Sequence, residues 1–290
     1  MEEESAMRAY KKVYPAALKF NETLSGVEVK YPSKIIKKRS PDIWALKYLL
    51  DKGRYNINGN NAIVLDKIDP TMDLRLHFMP KIFASAIFKV KENSKPQASD
   101  IMCGINKQYI TYTHDFKKRG TKPYPESLLE NSIWNSMDRC FGDEFPKARC
   151  GLRQFPANIF NGQINEKRRV TRKFWIDILT INSSNQLSVL ELKAGGNALL
   201  DLLAQAIDYG VFCHLFKEHI AKYWFPEAHK LANKVAVYCI AEKFHPALID
   251  DKGIKSLIQP NQVMDIIFIQ TKVKNNKVID YQTLFDTRKL

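Results

Sequence analysis

Two apolar segments joined by a short polar stretch constrain this chain more than any other feature: residues 174–181 (FWIDILTI) and 187–193 (LSVLELK). Both are rich in β-branched and large apolar residues, and 182–186 has the length and polarity of a hairpin turn, so an antiparallel strand pair is expected. Each segment carries a carboxylate inside its apolar run. Asp177 sits amid Trp175, Ile176, Ile178 and Leu179, and Glu191 follows Val189 and Leu190. A carboxylate in such surroundings is costly unless a cation or hydrogen bonds compensate. Counted from the turn, near residue 184, Asp177 and Glu191 fall at comparable distances, so they can lie close together on adjacent strands. Side chains alternate along a strand, which puts Glu191 and Lys193 on one face. Two carboxylates and one ammonium are thus expected to converge on one spot.

The surrounding pattern is that of an α/β sheet with a crossover helix. Pro125 suits the first turn of a helix carrying Leu128, Leu129, Ile133, Trp134 and Met137 at helical spacing, with Gly142 as a stop. Residues 152–160 read as a strand interrupted at Pro156, 198–216 as a helix with a broad apolar face, and 234–241 (KVAVYCIA) and 264–271 (MDIIFIQT) as buried strands joined by a polar, partly helical stretch. The first part of the chain is less legible. Residues 42–50 have near-helical apolar spacing, Asn58-Gly59 suits a turn before the run 62–65, 74–78 alternates, and 82–90 fits strand or helix. The polar 91–100 (KENSKPQASD) reads as a loop, and Lys117-Lys118-Arg119-Gly120 as a basic connection. The expected organisation is a basic N-terminal α+β part over 1–120 and, over 121–290, a mixed sheet flanked by helices.

Charge bears on partners. The 290 residues hold 45 Lys and Arg against 31 Asp and Glu, a net of +14. Up to Lys122 there are 23 basic and 13 acidic residues, a net of +10, which leaves 22 and 18, a net of +4, for the remainder. Such a chain favours polyanions, nucleic acid above all. Lys167-Arg168-Arg169 with Arg172-Lys173 stands directly before the Asp177 segment, where it could track a phosphate backbone; Lys117, Lys118 and Arg119 raise the same expectation. A solvated charged loop is the plain alternative for both.

Two carboxylates beside a lysine suit hydrolysis of a phosphodiester with a divalent metal. Hard oxygen ligands hold Mg²⁺, which keeps several waters and accepts substrate phosphate. The metal makes water acidic and offsets developing charge, while a lysine orients or helps deprotonate the water and meets the phosphate. An acid-x-Lys triplet alone carries little weight, because Glu28-Val29-Lys30, Asp115-Phe116-Lys117 and Asp250-Asp251-Lys252 also occur. Only the triplet at 191–193 follows an apolar segment with an embedded second carboxylate and precedes a helix. The plain alternative is a self-neutralising Asp177–Lys193 or Glu191–Lys193 ion pair.

These residues resemble the PD-(D/E)xK nuclease superfamily, in its branch of RecB-like and mismatch-type endonucleases. The resemblance spans roughly 123–215, about a third of the chain. It implies a restriction-endonuclease-like fold using Mg²⁺ or Mn²⁺, with Asp177 and Glu191 as metal ligands joined by the Leu192 carbonyl, and Lys193 as the lysine of the motif. It implies a further glutamate on the upstream helix, where Glu130 matches better than Glu126. It also implies that Gln205 and Tyr209, four apart on one helix face, look into the site. Arg153-Gln154 falls where relatives often carry a polar residue, and Arg153 is expected to contact nucleic acid. Ile176 stands where the name-giving motif has proline. DNA is favoured over RNA by the resemblance alone, and so are a homodimer, a partner motor or defence-system protein, and a role in repair or defence against foreign DNA.

Three rivals stay open: a nucleic-acid-binding module that has lost cleavage, a ribonuclease on the same fold, and an interaction protein whose basic part meets a protein or membrane surface. Other classes are disfavoured. Five widely spaced cysteines, at 103, 140, 150, 213 and 239, include no C-x-x-C pair and read as reduced thiols. The six histidines show no zinc spacing, and no phosphate-loop motif is present. No apolar run approaches the roughly 20 residues of a membrane span. The acidic start Met1-Glu2-Glu3-Glu4 is unlike a secretory signal, so no membrane partner and a cytoplasmic location are expected.

Overall fold

The structure is a computed structural model that describes residues 19–23, 26–31, 48, 62–67, 87–88, 125–145, 151–157, 175–194, 200–228, 230–244, 263–275 and 277–290. In the first part of the chain, β1 (Lys19–Thr23), β2 (Gly26–Tyr31), β3 (Ala62–Lys67) and β4 (Ile87–Phe88) form a four-stranded sheet in that order. β1 and β2 run antiparallel, while β3 and β4 add in parallel. Residues 62–65 and part of 82–90 are therefore strand. The alternating 74–78, the loop 91–100 and the connection 117–120 lie outside the described residues.

The second part holds a mixed six-stranded sheet in the order β10-β9-β8-β7-β6-β5, which establishes an α/β architecture. It runs through α1 (Pro125–Cys140), β5 (Leu152–Pro156), β6 (Trp175–Ile181), β7 (Leu187–Lys193), α2 (Leu200–Trp224), β8 (Val235–Ala241), β9 (Met264–Lys274) and β10 (Lys277–Asp286). The pairs β5–β6, β6–β7 and β9–β10 are antiparallel, and β7–β8 and β8–β9 are parallel. Parallel neighbours need a crossover, and α2 supplies it between β7 and β8.

Each helix covers one face of this sheet. On α1, the helical spacing puts Leu129, Ile133 and Met137 in a core cluster with Ile178, Leu190, Leu192, Tyr238, Ile240, Ile267 and Ile269. The alternate residues of the same strands face α2. There Gly210 lies so close that a Cβ would stand 2.6 Å from Val237 Cγ2 and 3.0 Å from Met264 Cε. A glycine inside a helix costs about 1 kcal/mol in propensity, and here it admits the close approach that seats α2 on the sheet.

β5 ends at Pro156, where the interruption is expected, and 158–160 lie outside the described residues. The end of α2 and one whole strand of this part differ from the sequence expectation. α2 runs on past 216 to Trp224. The polar Lys217 does not end it, because its stem is buried and its ammonium donates to the carbonyls of Ala232 (2.9 Å) and Asn233 (3.1 Å). β10 was not expected at all. It is a sheet edge, exposed along most of its length and bulged twice, so it lacks the apolar run that marks a buried strand. Among the described residues no helix is long and apolar enough to cross a membrane. Cys140, Cys213 and Cys239 are free thiols.

Candidate active site

The β6–β7 turn sets the register of the site. Asn185 N–H donates to the Asn182 carbonyl at 3.0 Å, and Asn182 N–H to the Gln186 carbonyl at 3.1 Å. Asn185 takes a left-handed backbone (φ 57°), a conformation that asparagine tolerates better than most residues. The strands then pair Ile181 with Leu187 through to Ile178 with Leu190. Pairing ends there, and the next residues out on the two strands are Asp177 and Glu191. On the other side, Arg153–Ile178 and Phe155–Ile176 bracket Gln154 and Asp177. Gln154, Asp177 and Glu191 thus stand in one row across three strands, and Cys239 of β8 continues it.

The two central carboxylates sit in a setting hostile to charge. Burial pushes the Asp177 carboxyl up to about 7, and Glu130 adds to this, against the opposing pull of the Leu192 N–H and Lys193. Asp177 Oδ2 accepts from that N–H at 2.9 Å, and Oδ1 from Gln154 Nε2 at 3.2 Å. Glu191 is 2% exposed. Burial, and after it the Asp177 charge, holds its carboxyl well above the ordinary glutamate range. Its Oε2 is buried without a hydrogen-bond partner among the described residues. A buried ionised carboxylate oxygen left without a partner is strongly unfavourable unless a proton, a cation or another polar group meets it.

The helix glutamates divide the remaining contacts. Lys193 Nζ pairs with Glu126 at 2.6 Å, so neither the Asp177–Lys193 nor the Glu191–Lys193 ion pair is formed. Glu130 is buried and accepts from Arg153 Nε at 2.7 Å and from Gln154 Nε2 at 2.9 Å. Arg153 is further held by Asn131 Oδ1 at 2.6 Å and lies over the Trp134 ring. On α2, Gln205 Nε2 donates to the Tyr209 hydroxyl at 3.1 Å. Burial, followed by the nearby Glu191 charge, raises the Tyr209 hydroxyl well above its usual range. Asp177, Glu191, Lys193, Glu126, Glu130, Arg153, Gln154, Gln205 and Tyr209 therefore make one connected neighbourhood. Leu192 brings its N–H to Asp177. Lys117, Lys118, Arg119, Lys167, Arg168, Arg169, Arg172 and Lys173 lie outside the described residues.

Among the described residues there is no group of three or more His, Cys, Asp and Glu side chains arranged to hold a metal. Mg²⁺ does not need one, because it keeps several waters and is commonly held through one or two carboxylates. Asp177 and the orphaned Glu191 Oε2 fit that requirement, as oxygen donors and in charge. Among the described residues the two cations of this neighbourhood are already taken, Lys193 by Glu126 and Arg153 by Glu130, so neither is paired with Asp177 or Glu191.

Glu126 and Gln154 are the two contacts that residue types understated. Glu126 looked like an ordinary first-turn acid, favoured there by the helix dipole. Gln154 takes its position from a left-handed backbone (φ 50°), which no local sequence signal announces. Neither a scan against protein-family models nor a search of curated proteins finds a match to this chain.

Proposed function

We propose that this protein is a metal-dependent endonuclease that hydrolyses DNA phosphodiester bonds. In this reading 121–290 is a nuclease domain of restriction-endonuclease-like fold, and the basic 1–120 positions nucleic acid. The Asp177–Glu191 pair carries the reading. Two carboxylates lie side by side just beyond the paired stretch of adjacent strands, burial disfavours their charge, and one oxygen has no partner among the described residues. A site built only for stability gains nothing from that arrangement. The mixed sheet with its crossover helix, and the PD-(D/E)xK resemblance, support the same conclusion.

Asp177 and Glu191 would hold Mg²⁺ or Mn²⁺, with the Leu192 carbonyl as a further oxygen donor. Bound there, the ion would supply Lewis acidity towards water and charge to offset the phosphate. Lys193 Nζ carries the donors that orient the attacking water and meet a phosphate oxygen. Its partner Glu126 is half exposed, so the ammonium can exchange that contact for substrate. Tyr209 and Gln205 would brace the α2 side of the Glu191 carboxylate. DNA as substrate rests on the net charge of +14 and on the resemblance.

The test is direct. Wild type and Asp177→Ala are incubated with supercoiled plasmid and with single-stranded circular DNA, with and without Mg²⁺ or Mn²⁺. Circles cut only by wild type, and only with metal, support the proposal and reveal the preferred strand state. Digestion of linear controls alone would make the enzyme an exonuclease. No metal-dependent cleavage of any DNA would overturn the proposal, and RNA would be tested next.

A further inference from the structure

Successive side chains of a regular strand point to opposite faces of the sheet. Arg153 and Gln154 break this rule, because both bond the same carboxylate. Arg153 Nε reaches Glu130 Oε1 at 2.7 Å, and Gln154 Nε2 reaches Glu130 Oε2 at 2.9 Å. The left-handed backbone of Gln154 (φ 50°) breaks the alternation. A side chain other than glycine, asparagine or aspartate in that region is strained, and such strain persists only where surrounding contacts impose it. Here the contact obtained is a bridge. The same Nε2 also donates to Asp177 Oδ1 at 3.2 Å, so one neutral amide spans two carboxylates on different elements. The Gln154 residue itself is exposed, so core packing does not account for its conformation.

We propose that Gln154 is a positioning residue, whose amide bridges Glu130 on α1 and Asp177 on β6 and so aims the Asp177 carboxylate into the metal site. The amide occupies Oδ1 from one side while Leu192 N–H occupies Oδ2, which fixes the rotation of the carboxyl group and leaves one lone-pair direction on each oxygen for a ligand. Being neutral, the amide does this without competing for the cation. Partners that orient a metal ligand in this way typically contribute about 10- to 100-fold in metal affinity.

The inference rests on the metal-site reading above, and the test separates the two. Free Mn²⁺ is titrated by electron paramagnetic resonance into wild type, Asp177→Ala, Gln154→Gly and Gln154→Ala, and each variant is also melted. Glycine accepts a left-handed backbone at no cost and alanine does not, yet both delete the amide. The expected result is that Gln154→Gly and Gln154→Ala bind Mn²⁺ equally weakly, about tenfold or more below wild type, while Gln154→Gly melts at the higher temperature. Wild-type affinity in Gln154→Gly would overturn the positioning role and leave the metal site standing. An affinity loss confined to Gln154→Ala would also overturn it, because the loss would then follow backbone damage. Wild type that binds no more Mn²⁺ than Asp177→Ala would overturn the metal site, and the inference with it.

Discussion

The two ends of the six-stranded sheet each gather carboxylates, and they treat them in opposite ways. At the end where β7, β8 and β9 begin, Glu144, Asp265 and Asp286 each have a cation. Arg288 meets Glu144 at 2.5 Å and Asp286 at 2.8 Å, and Lys234 meets Asp265 at 3.1 Å. Gln186 donates to Asp265, Asn182 donates to Tyr238, and the Tyr238 hydroxyl donates to Glu144. Burial alone would raise the Asp286 carboxyl, but the hydrogen bonds and charge of Arg288 outweigh it and hold it below the aspartate range. At the end where β7 finishes, Asp177 and Glu191 have no ion-pair partner among the described residues, and both carboxyls are raised. One cluster is complete within the chain. The other keeps one carboxylate oxygen, Glu191 Oε2, without a partner among the described residues, and the proposed metal site rests on that difference.

That contrast can be broken most decisively by substitution. Asp177→Ala or Glu191→Ala is expected to lower metal-dependent cleavage by about 10³-fold or more while leaving the melting temperature of the metal-free protein unchanged or higher. Initial rates on plasmid, with a thermal melt alongside, check both. A melting temperature that collapses with the activity would make the site end structural too.

The pH dependence sharpens it next. A carboxyl raised in the folded state favours folding fully below its unfolded value near 3.8, and that contribution is lost as pH climbs through about 7. Metal-free Asp177→Asn should therefore be more stable than wild type at pH 8, by up to roughly 4 kcal/mol, with the difference vanishing near pH 4. Asp286 works the other way. Its carboxyl is lowered, so its contribution is present above about pH 4 and lost as acid drives the pH down through its folded value. Urea unfolding of wild type, Asp177→Asn and Asp286→Asn across pH 3–9 reads out both signs.

Smaller effects follow. Lys193→Ala should slow cleavage by about 10²-fold, mainly in kcat at saturating metal, since the lysine is assigned to water and phosphate rather than to the ion. Arg288→Ala should cost about 2 kcal/mol of stability, less than a fully buried pair because the side chain is 24% exposed, and should leave cleavage by the folded protein within about twofold of wild type. Gln205→Ala and Tyr209→Phe each break the Gln205–Tyr209 hydrogen bond on α2, so rates should fall only about two- to tenfold.

Much of the site could be read from residue order because it depends on local rules. Strand alternation put Glu191 and Lys193 on one face, and a five-residue polar turn brought Asp177 beside Glu191. A 3.6-residue period placed Leu129, Ile133 and Met137 on the core face of α1 and Gln205 beside Tyr209. What escaped had no local signal. β10 is an exposed edge without an apolar run, and Lys217 sits deep in α2 because distant carbonyls cap its ammonium. The ion pairs expected from proximity in sequence, Lys193 with Asp177 or Glu191, gave way to Glu126, which arrives from a helix more than sixty residues earlier.

The sequence by itself determined the apolar sheet-forming segments β6 to β9, the crossover helix and the pair of carboxylates embedded in apolar strands, because hydrophobic periodicity and turn chemistry act over a few residues. Only the tertiary structure decided which of those carboxylates are compensated. That depends on packing α1 against β7 and β10, which delivers Glu126 and Glu130 to the site. It also depends on the left-handed turn of the backbone at Gln154, which joins α1 to Asp177. The energy of a buried charge is set by its neighbours in space, and the order of residues along the chain does not reveal them.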